Sequence, residues 1–240
     1  MPVFSAPEQK NRFESSNTAP EKMIWGQLRP HIILPKPLKH AFAKVPRPLF
    51  VPPSHQECCY HDDHIPLTEK GPHQRFLLSP LLLSKLLVHA DLEMIAHKKV
   101  LILSGGTGYS AALFGQMEAD CLMVETNNDL ADQARENLQS YTRVIVESSP
   151  SHLINELLDE QLFDIIFIDG GAVQTIPQFL IVRLRPSGFL LALQSKHPST
   201  TNELCLCYGM LVPHTGPASI LFDAWAPLNQ EFTDKPSFCF

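Results

Sequence analysis

From position 99 onward the chain alternates apolar runs with amphipathic segments. The runs are KVLIL (99–103), CLMVE (121–125), RVIVE (143–147), FDIIFID (163–169) and GFLLAL (188–193). Such near-continuous hydrophobic strands are expected where a sheet is covered on both faces, which is the habit of parallel sheets. Between them SAALFGQM, NDLADQARENLQ, SHLINELLDEQ and VQTIPQFLIVRL are the helix candidates, the amphipathic ones among them carrying helical spacing. Strands alternating with helices predict an α/β domain with a mostly parallel sheet. Asn128 and Ser151 are suited to N-cap two of these helices, and Arg185-Pro186-Ser187-Gly188 reads as a turn into the fifth strand. Two later runs, LCLCYGML and SILFDAW, bring the expected sheet to seven strands.

Before position 97 the texture differs. The chain holds 21 prolines against 11 glycines, many of them early, so this part is expected to be extended loops and short helices. PLKHAFAKV places Leu38, Ala41, Phe42 and Val45 on one side of a helix, and LLLSKLLVHADL reads as a helix with Pro80 in its first turn. The predicted organisation is a polar tail over 1–20, a proline-rich helical and loop cap over 21–96, and a Rossmann-like core over 97–240.

Composition narrows the classes. With 44% hydrophobic residues the chain can build a sizeable core, and a net charge of -6 implies no basic face for nucleic acid. Six cysteines stand at 58, 59, 121, 205, 207 and 239, in adjacent and alternate pairs that do not match zinc spacing. The start MPVFSAPEQKNRFESS lacks the pattern of a signal peptide. The apolar stretch from Phe76 to Ala90 is broken by Ser79, Pro80, Ser84 and Lys85 and is short for a membrane span. A cytoplasmic protein without membrane or nucleic-acid partners, and a monomer, is the expectation.

Candidate chemistry gathers at VLILSGGTGYSAAL (100–113). Gly105, Gly106 and Gly108 let the backbone approach a ligand, and the following helix N-terminus offers free N–H groups. No lysine follows, so the turn is not a phosphate-cradling P-loop. The second strand ends at Glu125, where a carboxylate can accept hydrogen bonds from the two ribose hydroxyls of an adenosine-containing cofactor. The run from Gly106 to Ala111 also fits the dinucleotide pattern G-x-G-x-x-A, which keeps a nicotinamide enzyme open, and a ligand-free packing turn is the bland alternative. Asp169-Gly170-Gly171 ends the fourth strand at the same edge, with Asp169 either facing the crevice or capping the next helix.

An ordered set of motifs resembles the protein-L-isoaspartate O-methyltransferase family. It comprises Gln27-Leu28-Arg29-Pro30, Val45-Pro46-Arg47, Phe50-Val51-Pro52, Tyr60-His61-Asp62, Ile65-Pro66-Leu67, Phe76-Leu77-Leu78-Ser79-Pro80, residues 100–112, Val124-Glu125 and ADQARENL. LFDAWAPL with the final aromatics looks like a divergent bacterial branch of that family. The resemblance implies a class I S-adenosylmethionine-dependent fold, S-adenosyl-L-methionine as cofactor, and methyl transfer to isoaspartyl carboxylates in damaged proteins. It implies that Ser104, Gly105, Gly106, Thr107, Gly108, Glu125 and Asp169 contact the cofactor, with Ser79 and Asp62 facing the acceptor. In-line methyl transfer needs alignment and exclusion of water rather than a strong base, and no nucleophile elbow is present.

Four departures qualify this. Aligned on Pro80, the family's T-I-S-x-P stretch places its serine on Leu78 and its threonine on Phe76, leaving Ser79 either a substitute hydroxyl or a helix cap. Ile102 stands where an acid is expected in the first strand, and Ser104 where the first glycine usually sits. The acid after the third strand is blurred into Glu147-Ser148-Ser149. A catalytically degenerate cofactor-binding or scaffold protein, or a methyltransferase with another acceptor, is therefore the alternative.

Other clusters read blandly. His61-Asp62-Asp63-His64 is a polar loop before it is a metal site, and no metal is expected. Cys205 and Cys207 share one side of a strand as small hydrophobes. Trp25 and Trp225 are expected to pack, with Trp25 a candidate for the substrate entrance, and Arg29 tethers the N-terminal segment or attracts an acidic peptide.

Overall fold

The computed structural model describes residues 18–71, 74–197 and 204–232. Most of the tail, Cys239 and the final aromatics of the sequence reading lie outside them. The cap begins with α1 (Ala19–Lys22), a π-helical turn (Met23–Leu28) and α2 (Lys36–Lys44). A small ladder of β1 (Ile65–Pro66) and β2 (Phe76–Leu77) follows, then α3 (Pro80–Leu87). The core runs β3 (Lys99–Leu103), α4 (Tyr109–Gln116), β4 (Asp120–Glu125), α5 (Asn128–Asn137), β5 (Val144–Ser148), α6 (Ile154–Leu158), β6 (Phe163–Val173), α7 (Gln178–Ile181) and β7 (Leu184–Ser195). Two long strands close it, β8 (Leu204–Pro213) and β9 (Ser219–Pro227).

Seven strands form one sheet in the order β5-β4-β3-β6-β7-β8-β9. The first five are parallel, while β8 and β9 pair antiparallel as a meander. The chain moves outward from β3 through β4 to β5, then returns to the far side of β3 as β6. That reversal opens a crevice above the carboxyl ends of β3, β4 and β6, where ligands of such sheets sit.

Alternate residues of β3 serve opposite faces. Val100 and Ile102 join a core with the cap and α4, including Leu38, Phe42, Leu83, Leu86, Phe114 and Phe167. Leu101 and Leu103 join a second core with Ile154, Leu158, Leu180 and Phe232. Both sets are apolar because strand side chains alternate and both faces are covered. Ile102 is fully buried beside Met123 and Phe167, its register partners. A carboxylate at that position would be desolvated.

The structure revises several expected elements. Asn127, not Asn128, caps α5, its side chain accepting from Leu130 N–H at 3.1 Å. Ser151 lies inside a short 3-10 turn rather than capping it. The segment expected as one helix over 173–184 is helical only in α7, because β6 continues to Val173 across a bulge between Phe167 and Ala172. Asp169 therefore caps no helix. Trp25 and Trp225 do not pack inside; they are 53% and 61% exposed, and Arg29 stacks on Trp25 at 4.0 Å. Among the described residues no helix is long and apolar enough to cross a membrane.

Candidate cofactor and acceptor site

The glycine turn sits at the tip of β3. Gly108, with φ of 96°, is the left-handed residue before α4, and its N–H donates to Gly105 O at 3.0 Å. Gly106 also has positive φ, and a Cβ there would meet the Leu67 side chain. Thr107 is buried with its hydroxyl donating to Phe50 O at 2.6 Å. It thereby ties the cap to the turn. Ser104 is the surprise of the loop. It carries φ of 56°, the conformation that a glycine would adopt freely, although it is a serine.

Glu125 ends β4 and is fully buried. Its carboxylate accepts Gly106 N–H at 2.8 Å and the N–H groups of Thr126 and Asn127 at 3.0 Å each. A fourth donor, Arg75 Nε, approaches at 3.4 Å. The acid foreseen in the sequence thus touches the glycine turn directly. Its buried partner Arg75 was not foreseen. Burial lowers the Arg75 pKa from its ordinary value, opposed by the charge and hydrogen bond of Glu125.

Arg75 reaches further, to Thr126 Oγ1 at 2.9 Å and to the carboxylate of Glu231, whose other oxygen accepts Ser104 Oγ at 2.6 Å. Glu231 belongs to a short 3-10 turn (Gln230–Phe232) that follows β9. This strap crosses the crevice. Asn229 N–H donates to Ala172 O at 2.7 Å, Asn229 Nδ2 donates to Asp169 O at 3.0 Å, and Phe232 sinks into the second core. Gly171 passes so close to the Pro227 carbonyl that a Cβ would collide with it. A buried arginine and a glutamate near the chain end carry no sequence signal of their own. Only the fold supplies their partners.

Asp169 lies buried at the β6 bulge, with Gly170 N–H donating to its carboxylate at 2.7 Å. Desolvation pushes its pKa up to about 6, with Gly170 and the Arg47 charge pulling the other way. Arg47 is itself fully buried. It donates to Cys59 O and to Leu78 O, each at 2.7 Å, and stacks on Tyr109 at 4.7 Å. The phenol of Tyr109 is pushed up to about 12 by burial.

On the acceptor side, Ser79 and Asp62 meet at the start of α3. Ser79 Oγ accepts from Leu82 N–H at 3.4 Å and Asp62 Oδ1 accepts from Leu81 N–H at 2.8 Å. His64 bridges Ser79 N–H and Trp225 O, at 3.1 and 3.2 Å. That geometry assigns the proton to Nε2, with Nδ1 accepting, and burial lowers the His64 pKa. A shallow groove of about 350 Å³ joins Asp62, His64, Ser79, Lys85 and Trp225. Leu78, at the family's serine position, is fully buried in the first core. His61-Asp62-Asp63-His64 does not converge, and no group of three or more potential metal ligands occurs among the described residues.

A parallel sheet reversing at β3, a glycine turn and an acid at the end of the neighbouring strand define a class I S-adenosylmethionine-dependent methyltransferase. The model of the protein-L-isoaspartate(D-aspartate) O-methyltransferase family matches residues 18–198, and the chain belongs to that family. A protein-L-isoaspartate O-methyltransferase of Methanoculleus marisnigri is 31% identical over 172 residues, 72% of this chain and 75% of the relative. One from Syntrophobacter fumaroxidans is 30% identical over 175 residues, 72% and 78% of the two chains. The fold is that of a solved Plasmodium falciparum protein described as an isoaspartate methyltransferase in complex with S-adenosyl-L-homocysteine. It superposes with a TM-score of 0.67 at 16% identity, over 85% of this chain and 94% of that one. A second solved protein-L-isoaspartate O-methyltransferase gives 0.64 at 19% identity, covering 85% of this chain and 64% of that one. Family membership sets aside the nicotinamide reading of the glycine turn.

Proposed function

We propose that the chain transfers the methyl group of S-adenosyl-L-methionine to the carboxylate of isoaspartyl residues in proteins. The observation that carries this is Glu125, buried at the end of β4 and bonded to the glycine turn at Gly106. The residues suit the group. Glu125 would hold the ribose hydroxyls, Gly105, Gly106 and Gly108 would admit it against the backbone, and Ser104 and Thr107 would shape the turn. Asp169, buried at the β6 bulge and accepting from Gly170 N–H, would line the same edge of the crevice. When bound, the cofactor supplies an electrophilic methyl on a sulfonium. This chain's part is to align the acceptor and exclude water. Asp62 and Ser79 would frame the acceptor by holding the first turn of α3, and the Trp225 groove beside them suits the peptide flanking the modified residue.

Two features favour a second reading, a family member that binds without transferring methyl. Leu78 puts a buried methyl group where the family places a hydroxyl, and Arg75 occupies part of the Glu125 carboxylate. One pair of measurements separates the readings. Calorimetry is expected to show S-adenosylhomocysteine binding, weakened at least tenfold in Glu125→Ala by loss of a charge-assisted diol contact, about 1.5–3 kcal/mol. Labelled methyl should then pass to an isoaspartyl peptide and not to its aspartyl twin. Binding without transfer leaves the second reading, and no binding removes both.

A further inference from the structure

The Glu125 carboxylate is unevenly supplied. Oε1 accepts from Thr126, Asn127 and Arg75, more donors than its two lone-pair sites, whereas among the described residues Oε2 accepts from Gly106 alone. A vicinal diol that engages both oxygens must therefore take a place on crowded Oε1. Of the four donors three are main-chain groups, set by the glycine turn and by the turn into α5. The fourth stands on a movable side chain and is the longest, at 3.4 Å. It also has another seat, because the same guanidinium already bonds Thr126 Oγ1 and Glu231.

Glu231 is built to stay where it is. Ser104 Oγ donates to it at 2.6 Å, and its own N–H donates to Asn229 Oδ1 at 3.1 Å. The side chains of Arg75 and Glu231 are each 4% exposed and that of Glu125 is 0% exposed. A charge left unpaired in such surroundings is strongly unfavourable. An arginine can leave one buried carboxylate readily only if a second remains in contact with it.

We propose that Arg75 is an exchangeable occupant of the cofactor's ribose acid. It bonds Glu125 until ribose hydroxyls take its place, and Glu231 is the positioning residue that keeps the guanidinium paired during the exchange. The proposal rests on the reading of Glu125 given above and adds two residues to the determinants of cofactor affinity.

The two partners then act with opposite signs. Arg75→Gln removes the competitor and tightens cofactor binding. Glu231→Gln removes the carboxylate that holds the guanidinium off Glu125 and weakens binding. In the double variant the Glu231 substitution loses its effect, because no guanidinium remains to be held. A pair with a merely structural role would weaken binding in both single variants.

The experiment is titration calorimetry on the full chain and the three variants, with S-adenosylhomocysteine and with its 2′,3′-dideoxy counterpart. The expected result is a gain of about tenfold for Arg75→Gln and a comparable loss for Glu231→Gln, the scale of one charge-assisted hydrogen bond. The dideoxy ligand should bind wild type and Arg75→Gln alike, since it has no hydroxyls to compete for Glu125. Equal or weaker binding of S-adenosylhomocysteine by Arg75→Gln would overturn the exchange, as would the same gain with the dideoxy ligand. If Arg75→Gln does not fold, the double variant must bind more tightly than Glu231→Gln for the exchange to stand. Failure of every folded protein to bind S-adenosylhomocysteine would remove the Glu125 reading itself. Binding by wild type without the inversion of sign removes only the exchange.

Discussion

Ser104 keeps a glycine's backbone with a serine's side chain. A Cβ in the left-handed region costs about 1–2 kcal/mol, and the hydroxyl offsets this by bonding the buried Glu231 carboxylate. Its substitutions separate the two effects. Ser104→Ala and Ser104→Gly both lose the hydroxyl, but only glycine relieves the backbone. Ser104→Gly is expected to be the more stable of the two by about 1 kcal/mol, reversing the usual preference for alanine over glycine. Urea unfolding measures this, and an alanine variant as stable as the glycine one would refute the strain. The sequence marked position 104 as an anomaly. That the backbone conformation survives there, and why serine is tolerated, depends on a glutamate 127 positions away.

Among the elements, α3 shows how far local pattern reaches. Its start at Pro80 and its Ser79 cap were legible, because a hydroxyl before a proline-led apolar run is a local signal. Its second cap was not legible. Asp62 reaches Leu81 N–H from a loop beyond the β1–β2 ladder. Ser79→Ala is expected to lower stability by about 0.5–1 kcal/mol, and Asp62→Ala by about 1 kcal/mol, read as a drop in the thermal midpoint. Unchanged midpoints in both variants would argue that neither residue caps. The longest misreading, at α7, has the opposite cause. The apolar sequence through 173–184 suits a helix locally, but Val173 pairs with Gln194 of β7, beside Ala172 on Leu193, and extends β6. Strand pairing between distant segments overrode local periodicity.

Across the whole molecule, the strap and the bulged end of β6 close one side of the crevice and bury Asp169. The folded chain holds that carboxyl up at about 6, whereas an unfolded aspartate titrates at about 3.9. A raised acid binds its proton more tightly when folded, so stability falls as pH rises from about 4 to about 6 and then levels off. The penalty at neutral pH is on the order of 2–3 kcal/mol. Asp169→Asn should remove it, so that the difference between variant and wild type grows over that interval. Denaturant melts at pH 4.5 and pH 7 test this, and a difference independent of pH would show that Asp169 is not raised.

The sequence by itself determined the sheet's strands to within a few residues, the covered faces, the glycine turn and the acid at position 125. All of these follow from local periodicity and from turn chemistry. Only the tertiary structure decided what that acid touches. Arg75 and Glu231 are 156 positions apart, and they meet because the meander of β8 and β9 returns the chain across the carboxyl edge of β3. Buried charges become intelligible only with their partners, since each is tolerated through the other. Partners so far apart leave no trace in a local pattern.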